Sequence, residues 1–161
     1  MARTIALGIG IMEYPFDTTD GFWRWVDLCE LGGIDSIWQT DRMISRSPIL
    51  ECMTALAAIA GRTRRIKFGV NVVSVAMRDP VLLAKQCATI DVLSQGRLLP
   101  GFGIGSPRGP EWVAMHLDPK TRGRMKLWWP TSWRNSTRWV ASASEGFIRT
   151  EYREGGASST I

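Results

Sequence analysis

The chain has 161 residues, 45% of them hydrophobic and 22% charged, with a net charge of +5, one histidine and three cysteines. This is ordinary globular composition, and no stretch approaches the ~20 apolar residues of a membrane span. A single histidine leaves neither a multi-histidine metal site nor, in practice, a Ser–His–Asp triad. Residues 1–125 carry 15 basic and 12 acidic side chains, and residues 126–161 carry 5 and 3. The excess is thus spread along the chain and marks no nucleic-acid surface. Arg3 opens no apolar run of signal-peptide length.

The elements alternate from the start. Thr4–Ile11 reads as a strand. Asp20 is placed to cap a helix that runs to about Leu31 and stops at Gly32-Gly33. Ser36–Thr40 is a short strand. Ser47-Pro48 has the letters of a cap followed by proline at the first helical position, and the helix Ile49–Ala60 follows, ending at Gly61. Arg62, Arg64 and Arg65 cluster in the next turn and read as solvated. Ile66–Val73 is apolar and β-branched, as a strand buried on both faces should be. Asp79-Pro80 repeats the cap-plus-proline start, Val81–Leu93 has apolar residues at helical spacing, and Gln95-Gly96 stops it. Arg97–Ile104 is the fourth strand. His116, in the polar loop beyond, reads as a surface residue.

Strands alternating with helices of this length imply a parallel sheet. Parallel βαβ units bind ligands at the carboxyl ends of their strands. Asn71–Ser74 and Gly103–Ser106 are therefore expected side by side at a binding face. Asp41 and Trp38 belong to the end of the second strand, on the same side. The run Gly101-Phe102-Gly103-Ile104-Gly105 is no dinucleotide fingerprint, because two prolines, Pro107 and Pro110, delay any helix. It suits a tight strand end, a backbone lying close to a flat ring, or both. Asp41 has two readings, a functional carboxylate or a surface pair with Arg42. Cys29, Cys52 and Cys87 are far apart on predicted helices and read as buried, reduced thiols with no metal-ligand spacing. Trp25 reads as helix packing.

The phrase ALAAIAGRTRRIKFGVNVVSVAMRDPVLLAKQCATIDVLSQGRLLPGFGIGS resembles the N-terminal half of the luciferase-like monooxygenase superfamily. Gly33-Ile34-Asp35-Ser36-Ile37-Trp38, Asp41, Ala84-Lys85 and Thr121-Arg122-Gly123-Arg124 fit the same family, so the resemblance spans roughly residues 3 to 125. It implies an α/β chain forming part of a TIM (β/α)8 barrel, with about four strand–helix units where an intact barrel takes ~250 residues. Ile9, Ile37, Val70 and Phe102, or their strand neighbours, would line the barrel interior. The resemblance also implies an oxidoreductase or monooxygenase using FMN or coenzyme F420, with F420 favoured, acting on a small organic substrate, and the reduced thiols point to the cytoplasm. Homo-oligomer formation stays open. Asp41 is the implied catalytic residue. Trp38, Asn71, Val72, Val73, Gly103, Ile104, Gly105 and Ser106 are the implied cofactor residues. The family often has histidine after this aspartate, and Arg42 stands there instead. Asn71-Val72 matches a position where the family often holds a cis peptide, an ordinary strand bulge being the alternative. A chain lacking the other half of the barrel could instead be a non-catalytic product that at most binds a ligand or partner.

Composition changes sharply at Met125. Residues 126–161 hold four of the eight tryptophans and six serines, with no helical or strand period. This irregular tail reads as a frameshift product, the alternative being an unusual extension. The chain thus divides into a half-barrel domain, 1–125, and a tail, 126–161.

Overall fold

The computed structural model describes residues 5–106 and 108–118. The tail and the TRGR motif lie outside them. Four strands, β1 (Gly8–Ile11), β2 (Ser36–Gln39), β3 (Lys67–Ser74) and β4 (Leu98–Gly103), form one sheet in the order β1-β2-β3-β4. Every neighbouring pair is parallel. The connecting helices are α1 (Thr19–Leu31), α2 (Cys52–Arg62) and α3 (Pro80–Ser94), and a short helix, α4 (Pro110–Ala114), follows β4.

The helix ends show which local signals prevailed. At α3 the sequence signals hold: Asp79 Oδ1 accepts from Leu82 N at 2.8 Å, Pro80 is the first helical residue, and Gln95 closes the helix in the left-handed region at φ 60°. At α1 the cap is Thr18, two residues before Asp20, and its Oγ1 accepts from Gly21 N at 3.1 Å. The helix α2 does not begin at Ser47-Pro48. Its cap is Glu51, whose carboxylate accepts from Met53 N and Thr54 N, and the helix runs through Gly61 to Arg62. The Pro48 carbonyl instead accepts from Tyr14 N at 2.7 Å, tying this loop to the end of β1.

Parallel neighbours in unbroken order, with crossovers of the usual single hand, put the connecting helices α1, α2 and α3 on one face. The core agrees. Phe22 and Val26 of α1, Met53, Leu56 and Ile59 of α2, and Leu83 and Ile90 of α3 share one buried cluster with Ile37, Phe68, Val70, Val73 and Leu98 of the sheet. Trp25 packs against this cluster and against the rings of Phe16 and Phe22. The opposite face, the interior side of a barrel, therefore belongs to the strand neighbours and not to Ile37, Val70 and Phe102, which pack on the helix side. It carries Trp38, whose indole lies over Gly8 and Gly69. A Cβ at Gly8 would meet Trp38 Nε1 at 2.8 Å, and one at Gly69 would meet Cζ3 at 2.9 Å.

The arginine cluster in the turn before β3 is more than solvated surface. Arg62 makes two bonds to the Asp27 carboxylate, and Arg65 donates to the carbonyls of Cys29, Glu30 and Ile34 at the end of α1. Glu30 answers by accepting from the backbone N–H groups of Arg64, Arg65 and Ile66. Among the described residues no helix is long and apolar enough to cross a membrane.

Candidate functional site

The carboxyl ends of β3 and β4 lie side by side. Val73 is paired with Phe102 and Ser74 with Gly103, after a register shift between Val70 and Val73. The Asn71–Val72 peptide is cis. Both features left open by the sequence, a cis bond and a bulge, are therefore present in one place. The two strand ends touch closely: a Cβ on Gly103 would meet Val72 Cγ2 at 2.6 Å. Gly105, at φ 78°, faces Ser74 Oγ and Trp112 Nε1, and a Cβ there would reach 3.2 Å from the indole nitrogen. Both polar atoms are buried without a hydrogen-bond partner.

The sequence-named residues divide. Asn71 and Ser106 are exposed, and Val72, Gly103, Ile104 and Gly105 are half-buried, so this group keeps a surface at the strand ends. Val73 is different. Its side chain is buried in the helix-side core, so only its main chain can face a ligand. Trp38 is paired with Gly69, well before the end of β3, and its Nε1 donates to Ser36 Oγ at 2.9 Å. It forms part of the sheet floor below the strand-end group. His116 is exposed.

Asp41 does not pair with Arg42. Its side chain is 1% exposed and engages three donors. Oδ2 accepts from Ser74 N at 2.8 Å, and Oδ1 accepts from Arg78 Nη2 at 2.6 Å and from the Cys52 thiol at 3.3 Å. Arg78 Nη1 lies 2.8 Å from Glu51 Oε1. The group therefore joins the end of β2, the end of β3, the cap of α2 and the approach to α3. Arg42 points elsewhere, 3.7 Å from the buried carboxylate of Glu111 in α4.

The electrostatics follow from burial and pairing. Burial opposes the Arg78 charge, but the Asp41 hydrogen bond and the charges of Asp41 and Glu51 outweigh it and raise its pKa. Burial also opposes the Glu51 charge, and bonds from Thr54 and Met53 with the Arg78 charge bring its pKa below the ordinary value. Cys52 is pushed well above the usual thiol value by burial first and the Asp41 charge second. Cys87, buried in α3, is pushed up to about 12 chiefly by burial. All three cysteines are free and buried. The donor atoms of Asp41, Glu51 and Cys52 lie within 4.8 Å of one another, with the Arg78 guanidinium bonded to them and supplying the positive charge.

Sequence reasoning found the strand ends but missed Arg78, Glu51, Glu111 and Trp112. The usable signal for Arg78 was its place in a strand-to-helix loop on the binding side.

The comparisons with known proteins agree with this architecture. The family described as luciferase-like monooxygenase matches residues 7–126. A relative from Amycolatopsis mediterranei, an F420-dependent glucose-6-phosphate dehydrogenase, is 34% identical over 91 residues, 50% of this chain and 27% of that protein. A limonene 1,2-monooxygenase from Rhodococcus erythropolis is 46% identical over 50 residues, 31% of this chain and 13% of that protein. Among solved structures, the coenzyme F420-dependent tetrahydromethanopterin reductase of Methanopyrus kandleri superposes with a TM-score of 0.58 at 25% identity, covering 73% of this chain and 31% of that one. The chain thus spans under a third of the length of each of these proteins. With the matched region reaching from β1 past α4, the chain belongs to the luciferase-like monooxygenase family.

Proposed function

We propose that this chain carries the ring-binding part of a flavin-type oxidoreductase that acts on a small organic substrate, with coenzyme F420 favoured over FMN. One observation carries the reading, the close contact of the Asn71–Ser74 and Gly103–Gly105 strand ends. Glycines there leave main chain and the Val72 side chain as a flat, half-buried surface, which fits one side of a fused ring. The F420-dependent relative at 34% identity supports the choice of coenzyme. When bound, the deazaflavin supplies hydride transfer, and FMN would supply oxygen activation.

The residues of this chain bind and orient. Val72, Gly103, Ile104 and Gly105 offer the contact surface. Asn71 and Ser106, both exposed, lie at its edge. Asp41 holds Ser74 in place, since its oxygens are already engaged by Ser74, Cys52 and Arg78. Arg42 stands on the solvent side where the family often has histidine. The three reduced thiols suit a cytoplasmic setting.

Fluorescence titration of the purified chain with F420 and with FMN tests this. Saturable binding is expected, with F420 tighter than FMN. No saturable binding of either compound contradicts the proposal.

A further inference from the structure

We propose that Arg78 is a positioning residue of this site: by bridging Asp41 and Glu51 it fixes the carboxylate that anchors Ser74, and so sets the β3 end that faces the ligand. The inference rests on the reading of the strand ends as a ring-binding surface, and it concerns a residue that touches none of those surface atoms.

The geometry is directional. Ser74 is the last residue of β3, and its Oγ is buried with no partner. Its side chain therefore does nothing to hold it. The bond from Ser74 N to Asp41 Oδ2, at 2.8 Å, is what ties this end of the strand to the neighbouring loop. Asp41 in turn depends on Arg78. It lies in an irregular segment beyond β2, and its Oδ1 is bound by Arg78 Nη2 at 2.6 Å. Arg78 has its other terminal nitrogen on Glu51, the residue that caps α2. The planar guanidinium thus spans two carboxylates from separate segments, a task for which its fork of donors is suited and a lysine ammonium is not. The Cys52 thiol completes the set, donating to Asp41 and accepting from Arg78 Nη2. Ser74 is paired with Gly103 and its Oγ lies against Gly105, so a shift of Ser74 reaches the β4 end directly.

Two measurements on the full chain test this. The first is amide hydrogen exchange at Ser74 in the parent, Arg78→Lys, Arg78→Gln and Glu51→Gln. Glu51→Gln keeps an acceptor for the α2 cap while removing the charge, so it is the mild variant should Arg78→Gln not fold. Exchange at Ser74 is expected to speed up at least tenfold in Arg78→Gln and severalfold in Arg78→Lys and Glu51→Gln, with the core amides of Phe68 and Val70 unchanged. The second is titration with F420 and FMN, where Arg78→Gln should weaken binding at least tenfold. Because Arg78 acts through Asp41, adding Asp41→Asn should cost little more. Unchanged Ser74 exchange overturns the proposal whatever the ligand does. Faster exchange with unchanged coenzyme affinity also overturns it, because the strand end would then not matter to the site. A parent chain that binds neither coenzyme removes the proposed function instead, and Ser74 exchange alone then decides whether Arg78 sets the strand end.

Discussion

Asp41 is a carboxylate whose two oxygens are both engaged inside the protein. A surface partner of Arg42 would contribute at most ~1 kcal/mol, and its removal would leave the melting temperature nearly unchanged. The structure gives Asp41 another place, 1% exposed and bonded to Ser74 and Arg78. Asp41→Ala leaves the Arg78 charge, 10% exposed, without its inner partner and takes the acceptor from Ser74 N. Breaking a buried pair in this way costs about 3–5 kcal/mol. Urea denaturation should show the loss as a lower midpoint with a similar slope, and a parent-like midpoint would return Asp41 to the surface-pair reading. Acid stability is argued from the same kind of residue. Asp27 is held below its ordinary value of 3.8 by the Arg62 bond. Glu30 is opposed by burial yet held below 4.5 by the N–H groups of Ile66, Arg64 and Arg65, and Glu51 is lowered likewise. Their stabilisation is complete above the unfolded values and is lost as pH falls through the lower folded ones. Asp91 runs the other way, since burial raises it and its protonation relieves a cost. Three lowered groups against one raised group predict a melting temperature that falls steadily below about pH 4.5. A flat profile from pH 5 to pH 3 would contradict it.

Arg97 does for the elements what Arg78 does for the site. From the start of β4 its guanidinium donates to the carbonyls of Ala60 and Thr63 at the end of α2, Ile66 before β3 and Ser94 at the end of α3, and to Thr63 Oγ1. It also stacks 5.2 Å from the centre of the Phe68 ring. Arg97→Ala strands these acceptors, each worth ~1–3 kcal/mol when buried and unpaired. At least about 3 kcal/mol of destabilisation is expected in thermal or urea unfolding, with Arg97→Lys recovering part of it, and a loss below 1 kcal/mol would refute the keystone role. None of this was visible in the chain order. The helix α3 was legible because its start and stop signals, Asp79-Pro80 and Gln95-Gly96, act within a few residues of themselves. The start of α2 was misread because Ser47-Pro48 carries the same letters, while a contact from Tyr14, far back in the chain, holds Pro48 and leaves Glu51 to cap. The β3 and β4 ends were legible as neighbours through the βαβ rule, which fixes backbone placement. The Asp41–Arg78–Glu51 group was not, because it links side chains 27 to 37 positions apart, and periodicity says nothing about such pairs.

Among the described residues the sheet has two edges, β1 and β4, and α1, α2 and α3 pack against one of its faces. Around β1, Ile5, Leu7 and Met12 are 81%, 60% and 75% exposed. Free edges with apolar side chains beside them invite pairing with other chains. Self-association that grows with concentration is expected in size-exclusion chromatography, and Leu7→Lys should reduce it. A monodisperse monomer with one cooperative transition at all concentrations would show that these surfaces are covered. The strand order has another consequence, for the time course of synthesis. Among the described strands, β2, β3 and β4 each add to the strand made just before, so this part of the sheet lengthens in the order in which residues leave the ribosome. Among the described residues, β2, β3 and β4 each find a partner already made, and each new βα unit needs only local loop closure. The nascent chain can lay down β1 through β4 as a growing ribbon, its newest edge always the one about to be used.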